Sequence, residues 1–253
     1  MQYLNTAMEL AQKAGDRIME LYEQNLALDK EDEFPVTEAD LESNRIIVEG
    51  LEKTGIPIIS EETKELHVKE EKLMWVIDPL DGTKDFVERT GEFAVMIALM
   101  EDRQPVLGVV YAPAIDKLYY AAKGEGAWLR EYGEDIKLQV SDKELEKMVV
   151  SRFHLSEEMQ QIAERLGVKE FKKMGSVGVK YGAIAEGKAE LCIYTNSKMG
   201  IWDDAAPHIL LTEAGGKVFD CRGKEPEYDY VSKRMENGFI GTNGKGNILE
   251  VIK

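Results

Sequence analysis

The residues best suited to chemistry in this chain are carboxylates, and they gather at the ends of predicted elements. The apolar run LMWVID at 73–78 reads as a buried strand and leads into Asp78-Pro79-Leu80-Asp81-Gly82-Thr83. Two acids three residues apart therefore sit where a strand opens into a turn. Pro79 fixes one backbone angle there and Gly82 permits a sharp bend. The two side chains can converge on one point, where they repel unless one takes a proton. A divalent cation removes that conflict, and an oxygen-only ligand set favours Mg²⁺, Mn²⁺ or Ca²⁺ over zinc. The amides of Gly82 and Thr83, at the start of a helical turn, make a cradle for an anion. Asp, Pro and Gly are also the ordinary residues of a surface turn, so this motif alone leaves both readings open.

Three further acids sit at comparable places. Ser60-Glu61-Glu62 ends the strand IPIIS at 56–60. Asp40 lies three residues after Thr37, in a capping-box-like helix start. Trp202-Asp203-Asp204-Ala205-Ala206 opens a helix that ends in the Gly215-Gly216 pair. Each has a plain explanation, as a solvated acid or as the partner of a helix dipole. Four acid-bearing element ends in one chain are harder to ascribe to chance. Lys84, directly after the anion cradle, suits a role near the anion. Ser176, Lys180, Arg152 and His154 are candidates for holding the rest of a substrate, with a solvated helix charge or an ordinary strand end as the competing readings. His67, in a charged loop, reads as solvated, and His208 as a structural residue on the buried side of its helix. No GxSxG, GxxxxGK[ST] or GxGxxG pattern is present, so serine-hydrolase, nucleoside-triphosphatase and dinucleotide chemistries are not expected.

Positioning these residues takes a mixture of elements. Helical periodicity covers 3–24, a capped helix runs from Thr37 to about residue 53, and strands are expected at 56–60 and 73–78. The β-rich runs 93–100, 105–113 and 117–122 predict an antiparallel meander, followed by a turn at 123–128. The polar stretch 131–147 is the expected boundary between residues 1–135, with most of the acids, and residues 136–253, with Asp203. Beyond it come a strand at 148–152, helices around 156–167 and 177–186, a strand at 189–194, a helix around 203–214, a short strand KVFD and a strand at 238–243. Helices, then strands, then alternation indicate an α+β or α/β protein with two layered sheets.

Composition narrows the class. The chain has 253 residues, 43% hydrophobic and 32% charged, with a net charge of −16. It can bury a core without staples, and its acidity argues against a nucleic-acid polymer as partner. The longest apolar run, 93–100, is far short of the ~20 residues that span a bilayer. The amphipathic N-terminus is unlike a signal peptide. Cys192 and Cys221 show no metal spacing and are expected as free thiols in a cytoplasmic protein.

The segments PVTEAD (35–40), SEE (60–62), WVIDPLDGTKDF (75–86), GSVGVK (175–180) and WDDAAPHILLTEAGG (202–216) resemble, in order and spacing, those of the inositol monophosphatase superfamily. Within it the resemblance is strongest to the 3′(2′),5′-bisphosphate nucleotidases, through Lys84-Asp85, the run 91–114 and VVSRFH (149–154). Asn196 stands where inositol phosphatases carry a glutamate, and Thr195 where bacterial nucleotidases often carry an arginine.

The resemblance implies a layered αβαβα fold, two sheets sandwiched by helices. It also implies a lithium-sensitive, Mg²⁺-dependent phosphomonoesterase with two or three ions and Mn²⁺ as a possible substitute. Glu61, Asp78 and the Leu80 carbonyl would hold the first ion and Asp78, Asp81 and Asp203 the second, with Glu61 shared by a third. Metal-activated water would be oriented by Thr83 and Asp40, or by Glu61. Gly82, Thr83, Lys84, Ser176, Lys180 and Asp203 would contact a small phosphorylated substrate, in a monomer or homodimer without membrane attachment. Adenosine 3′,5′-bisphosphate is the expected substrate. An inositol monophosphatase or fructose-1,6-bisphosphatase activity and a non-catalytic metal or nucleotide sensor are the alternatives.

Overall fold

The apolar stripe at the N-terminus builds α1 (Gln2–Glu23), with Ala7, Ala11, Ala14 and Ile18 wholly buried. The structure is a computed structural model that describes residues 2–24, 36–63, 71–153, 157–195 and 199–252. After α1 come α2 (Glu38–Leu51), β1 (Ile58–Ser60), β2 (Leu73–Asp81), the short α3 (Thr83–Val87), β3 (Ala94–Glu101), β4 (Gln104–Ala112), β5 (Lys117–Ala122), β6 (Gly126–Glu131) and β7 (Glu134–Lys137). The remaining elements are β8 (Lys147–Ser151), α4 (Glu157–Arg165), β9 (Glu170–Met174), α5 (Val177–Ala185), β10 (Leu191–Tyr194), α6 (Ile201–Glu213), β11 (Lys217–Phe219), β12 (Phe239–Thr242) and α7 (Ile248–Ile252).

Strands β1 to β7 form one sheet in sequence order, parallel only between β1 and β2. A second sheet runs β11-β12-β10-β8-β9. Period-two burial decides the layering. Trp75 and Ile77 of β2, with Val95, Ile97 and Leu99 of β3, pack with α1 and α2. Their neighbours Met74, Val76, Met96 and Ala98 share a core with α5 and α6. Val149 and Cys192 of the second sheet belong to that same central core, whereas Met148, Val150, Leu191 and Ile193 pack with α4 and α7. The order is helix, sheet, helix, sheet, helix: the two layered sheets expected from the element pattern, in the α+β layered αβαβα architecture that the resemblance implies. At Gly108 in β4 an added Cβ would lie 2.5 Å from Ile209 Cγ2 and 2.6 Å from the Ala206 carbonyl. The missing side chain is what lets α6 rest directly on the first sheet.

Several local expectations are corrected. The segment from Asp78 to Asp81 is not yet a turn: β2 continues through it, and its pairing with β3 slips between Asp78↔Met96 and Asp81↔Ala94. Three steps on β2 match two on β3, a β-bulge at Pro79, which has no N–H to give to a ladder. The expected turn at 123–128 is shorter, covering 123–125, and β6 and β7 then form a hairpin closed at Tyr132-Gly133, both with positive φ, as a type I′ turn requires. Strand β9 was not expected, because EFKKM is polar and largely exposed; it lies at a sheet edge, where charge discourages pairing with another chain. Helix α7 was also not expected. Cys192 and Cys221 are not joined in a disulfide; Cys192 is buried, and the Cys221 thiol donates to the Tyr194 carbonyl at 3.5 Å.

Candidate metal centre

The bulge in β2 creates the centre of the site. In a regular strand, residues three apart point to opposite faces. One extra residue restores a common face, so Asp78 and Asp81 are brought together. Asp203 joins them from the first turn of α6, and the three carboxylates each place an oxygen within 4.8 Å of the others. Each is oriented by the protein. Asp78 Oδ1 accepts the Leu80 N–H at 3.0 Å. Asp81 Oδ2 accepts the Ser176 hydroxyl at 2.5 Å and the Gly178 N–H at 3.0 Å. Asp203 Oδ2 accepts the Gly200 N–H at 2.6 Å. The Ser43 hydroxyl donates to the Pro79 carbonyl at 2.6 Å, so α2 pins the bulge itself.

Asp78 and Asp81 are buried, and burial is the largest cause holding both above the usual carboxylate range. For Asp78 the charges of Glu61, Asp81 and Asp203 add to it. Asp203 is raised by burial and then by Glu61 and Asp81. Glu61 reaches solvent at the end of β1, yet is pushed up to about 7 by loss of hydration and by Glu62, Asp81 and Asp40. Carboxylates so close resist joint ionisation, and a divalent cation is the ordinary remedy. The donor set fits such an ion: all donors are oxygens, their directions are fixed, and among the described residues no sulfur or imidazole joins the cluster.

Beside this cluster lies a second polar assembly. Asp40, on the first turn of α2, accepts the Thr37 N–H at 2.7 Å and the Thr37 hydroxyl at 2.6 Å through Oδ2. Its other oxygen faces Thr83 Oγ1 at 3.0 Å. The Thr83 hydroxyl also lies 3.1 Å from the Leu80 carbonyl. Burial raises the Asp40 carboxyl, against these hydrogen bonds. Gly82 precedes α3 at φ +87, a conformation that disfavours a side chain, and an added Cβ would meet the Glu92 carbonyl and the Ser176 nitrogen at 3.1 Å.

The remaining predicted residues are placed differently from one another. Leu80 is buried, and its carbonyl is turned toward Thr83. Ser176 caps α5 and bonds Asp81, and Lys180, only 3% exposed, donates to the Gly175 and Ser176 carbonyls at 3.0 and 3.1 Å. The solvated reading of Lys180 is thus overturned. Lys84 and Arg152 are not in the carboxylate cluster. Lys84 Nζ sits 4.7 Å over the Phe153 ring, and Arg152 pairs with Asp85 and Glu92. His208 is structural: its Nδ1 lies 2.7 Å from the Tyr228 hydroxyl, which donates to the buried Asp204 at 2.5 Å. His67, His154 and Asn196 lie outside the described residues. Sequence reasoning passed over Ser43 and Glu92. Their partners, Pro79 and Gly175, are distant in the chain, and no local spacing signals such a pairing.

Comparison with known proteins gives the family and the fold. The model of the inositol monophosphatase family matches residues 1–250. The 3′(2′),5′-bisphosphate nucleotidase CysQ of Salmonella typhimurium is 39% identical over 244 residues, 93% of this chain and 98% of the relative. The crystal structure of CysQ from Bacteroides thetaiotaomicron superposes with a TM-score of 0.84 at 30% identity, covering 96% of this chain and 98% of that one. The Thermotoga maritima IMPase gives 0.81 at 28% identity, covering 100% and 97%.

Proposed function

The chain belongs to the inositol monophosphatase family, and on that premise we propose that it is a Mg²⁺-dependent phosphomonoesterase that hydrolyses adenosine 3′,5′-bisphosphate to AMP and phosphate. The observation that carries the reaction class is the convergence of Asp78, Asp81 and Asp203 beside the Thr83–Asp40 pair. The substrate reading is supported by a relative named as a bisphosphate nucleotidase that this chain matches over 98% of its length.

Asp78, Asp81 and Asp203, with Glu61 and the Leu80 carbonyl, would hold two or three Mg²⁺ ions, for which Mn²⁺ can substitute. Residues 1–135 would thus supply most of the ligands and residues 136–253 would add Asp203 and substrate contacts. Bound there, the ions supply Lewis acidity that favours deprotonation of a water and offsets charge on the phosphoryl and leaving oxygens. The chain's own residues do the positioning. Asp40 accepts the Thr83 hydroxyl hydrogen, which turns a lone pair of Oγ1 outward to orient the attacking water and take its hydrogen bond. Glu61 is the second group suited to orient that water. The Gly82 and Thr83 amides face the phosphate oxygens, and Lys84 adds positive charge beside them. Water attacks phosphorus, the bond to the 3′ oxygen breaks, and the nucleotide leaves with a 3′-hydroxyl.

The test is phosphate release from adenosine 3′,5′-bisphosphate, inositol 1-phosphate and fructose 1,6-bisphosphate, each with Mg²⁺ and with excess chelator. The nucleotide should lead by ~100-fold in kcat/KM, roughly 2.7 kcal/mol of transition-state discrimination. Comparable rates on the sugars would replace the nucleotidase reading with a broad phosphatase. No metal-dependent release from any of them would favour a sensor built on the same fold.

A further inference from the structure

The turn that carries Ser176 to Asp81 is held in an uncommon shape, and the groups that hold it play no part in the mechanism above. Ser176 adopts φ +41 and ψ 132, a backbone conformation that side chains rarely take. Such strain persists only where surrounding contacts enforce it. Three contacts do so here. Lys180 donates to the carbonyls of Gly175 and Ser176. Gly175 is pressed so closely onto its neighbours that an added Cβ would lie 2.3 Å from both Asp85 Cγ and the Glu92 carbonyl. The Glu92 carboxylate accepts the Gly175 N–H at 2.9 Å through Oε2. That same oxygen is backed by the Arg152 guanidinium, whose Nε also reaches Asp85 Oδ1 at 3.4 Å.

We propose that Glu92, with Arg152 behind it, is a positioning residue for the metal centre. It anchors the Gly175 N–H, the anchored turn sets Ser176, and the Ser176 hydroxyl fixes Asp81 Oδ2. This rests on the reading of Asp81 as a metal ligand. It also gives Arg152 a different task from the one expected of it: two of its donors are committed to Glu92 and Asp85 and stabilise the turn. A carboxylate is suited to this place because one oxygen can accept from a backbone amide and a guanidinium together.

Position and charge can be separated by two variants. Glu92→Asp keeps the charge opposite Arg152 but is one methylene short of Gly175. Glu92→Gln keeps the reach and the acceptor but loses the charge. Mg²⁺ binding to each full-length protein is measured by calorimetry, alongside thermal unfolding and steady-state kinetics. Glu92→Asp should bind Mg²⁺ about tenfold more weakly, with its kcat deficit recovered at saturating Mg²⁺ and the nucleotide KM within about twofold of the original, while Glu92→Gln stays within about threefold in metal affinity. The reverse order, or unchanged affinity in Glu92→Asp, overturns the proposal. So does a fall in unfolding temperature with no change in metal affinity, which would make the contact merely structural. If the unsubstituted chain itself binds no Mg²⁺, the metal-site reading fails first and takes this one with it.

Discussion

Thr83 and Asp40 meet across 43 residues of sequence, with Thr83 Oγ1 3.0 Å from Asp40 Oδ1. Asp40 is already bonded twice to Thr37 through its other oxygen, so the capping of α2 and the orientation of the Thr83 hydroxyl are one arrangement. Asp40→Asn would put an amide in a place that receives three donor hydrogens. Turnover should fall by about 10²-fold or more with little change in KM, measured as phosphate release at saturating Mg²⁺. Unchanged turnover would remove Thr83 and Asp40 from the mechanism.

Asp203 comes to the site from α6, whereas Asp78 and Asp81 share one strand. Asp203→Asn should weaken metal binding and lower turnover about 10²-fold or more, with the loss partly recovered at high Mg²⁺. Titration of activity against Mg²⁺ reads both effects, and near-normal turnover at low Mg²⁺ would sink the assignment.

Removing metal should lower stability, because an ion bound only to the folded chain stabilises it. At a hundred times its dissociation constant Mg²⁺ adds about 2.7 kcal/mol, roughly 5–10 °C in a chain of this size. Glu61 gives this a pH signature. Its folded-state value is raised to about 7, so its contribution is intact below its ordinary range and lost as pH rises through about 7. In chelator that loss should appear in thermal unfolding, and Mg²⁺ should suppress it.

Glu186 titrates with the opposite sign. Burial works against its charge, but hydrogen bonds from Lys117, Lys188 and Tyr119 outweigh it and hold the carboxyl below its usual 4.5. The stability it contributes is full above that value and is lost as pH falls through the depressed one. Glu186→Gln should cost about 1–2 kcal/mol near pH 7 and nothing once the wild-type carboxyl is protonated. Denaturant unfolding at both pH values measures the difference.

Gly82 stands at φ +87 with the Glu92 carbonyl and Ser176 nitrogen close by. Gly82→Ala should destabilise the fold by about 1–2 kcal/mol from backbone strain and reduce turnover further by displacing the adjoining amides. An unfolding curve and a rate assay on the same preparation separate the two losses.

Much of this architecture was legible because it is local. Continuous apolar runs marked the buried strands, helical spacing set α1, and the Thr37–Asp40 spacing marked the start of α2. The acid-bearing ends were visible for the same reason. What the spacing could not disclose was how those ends meet. Asp78 and Asp81 share a face only because a bulge shifts the parity of β2, and that slip is defined by the pairing with β3. Ser176 reaches Asp81 across 95 residues, and Glu92 reaches Gly175 across 83. The pattern of side chains along an element is fixed by its own helical or strand repeat, which the sequence by itself determines. The convergence of the site depends on the seating of α5 and α6 between two sheets, a consequence of burial summed over the whole core, and only the tertiary structure decided it.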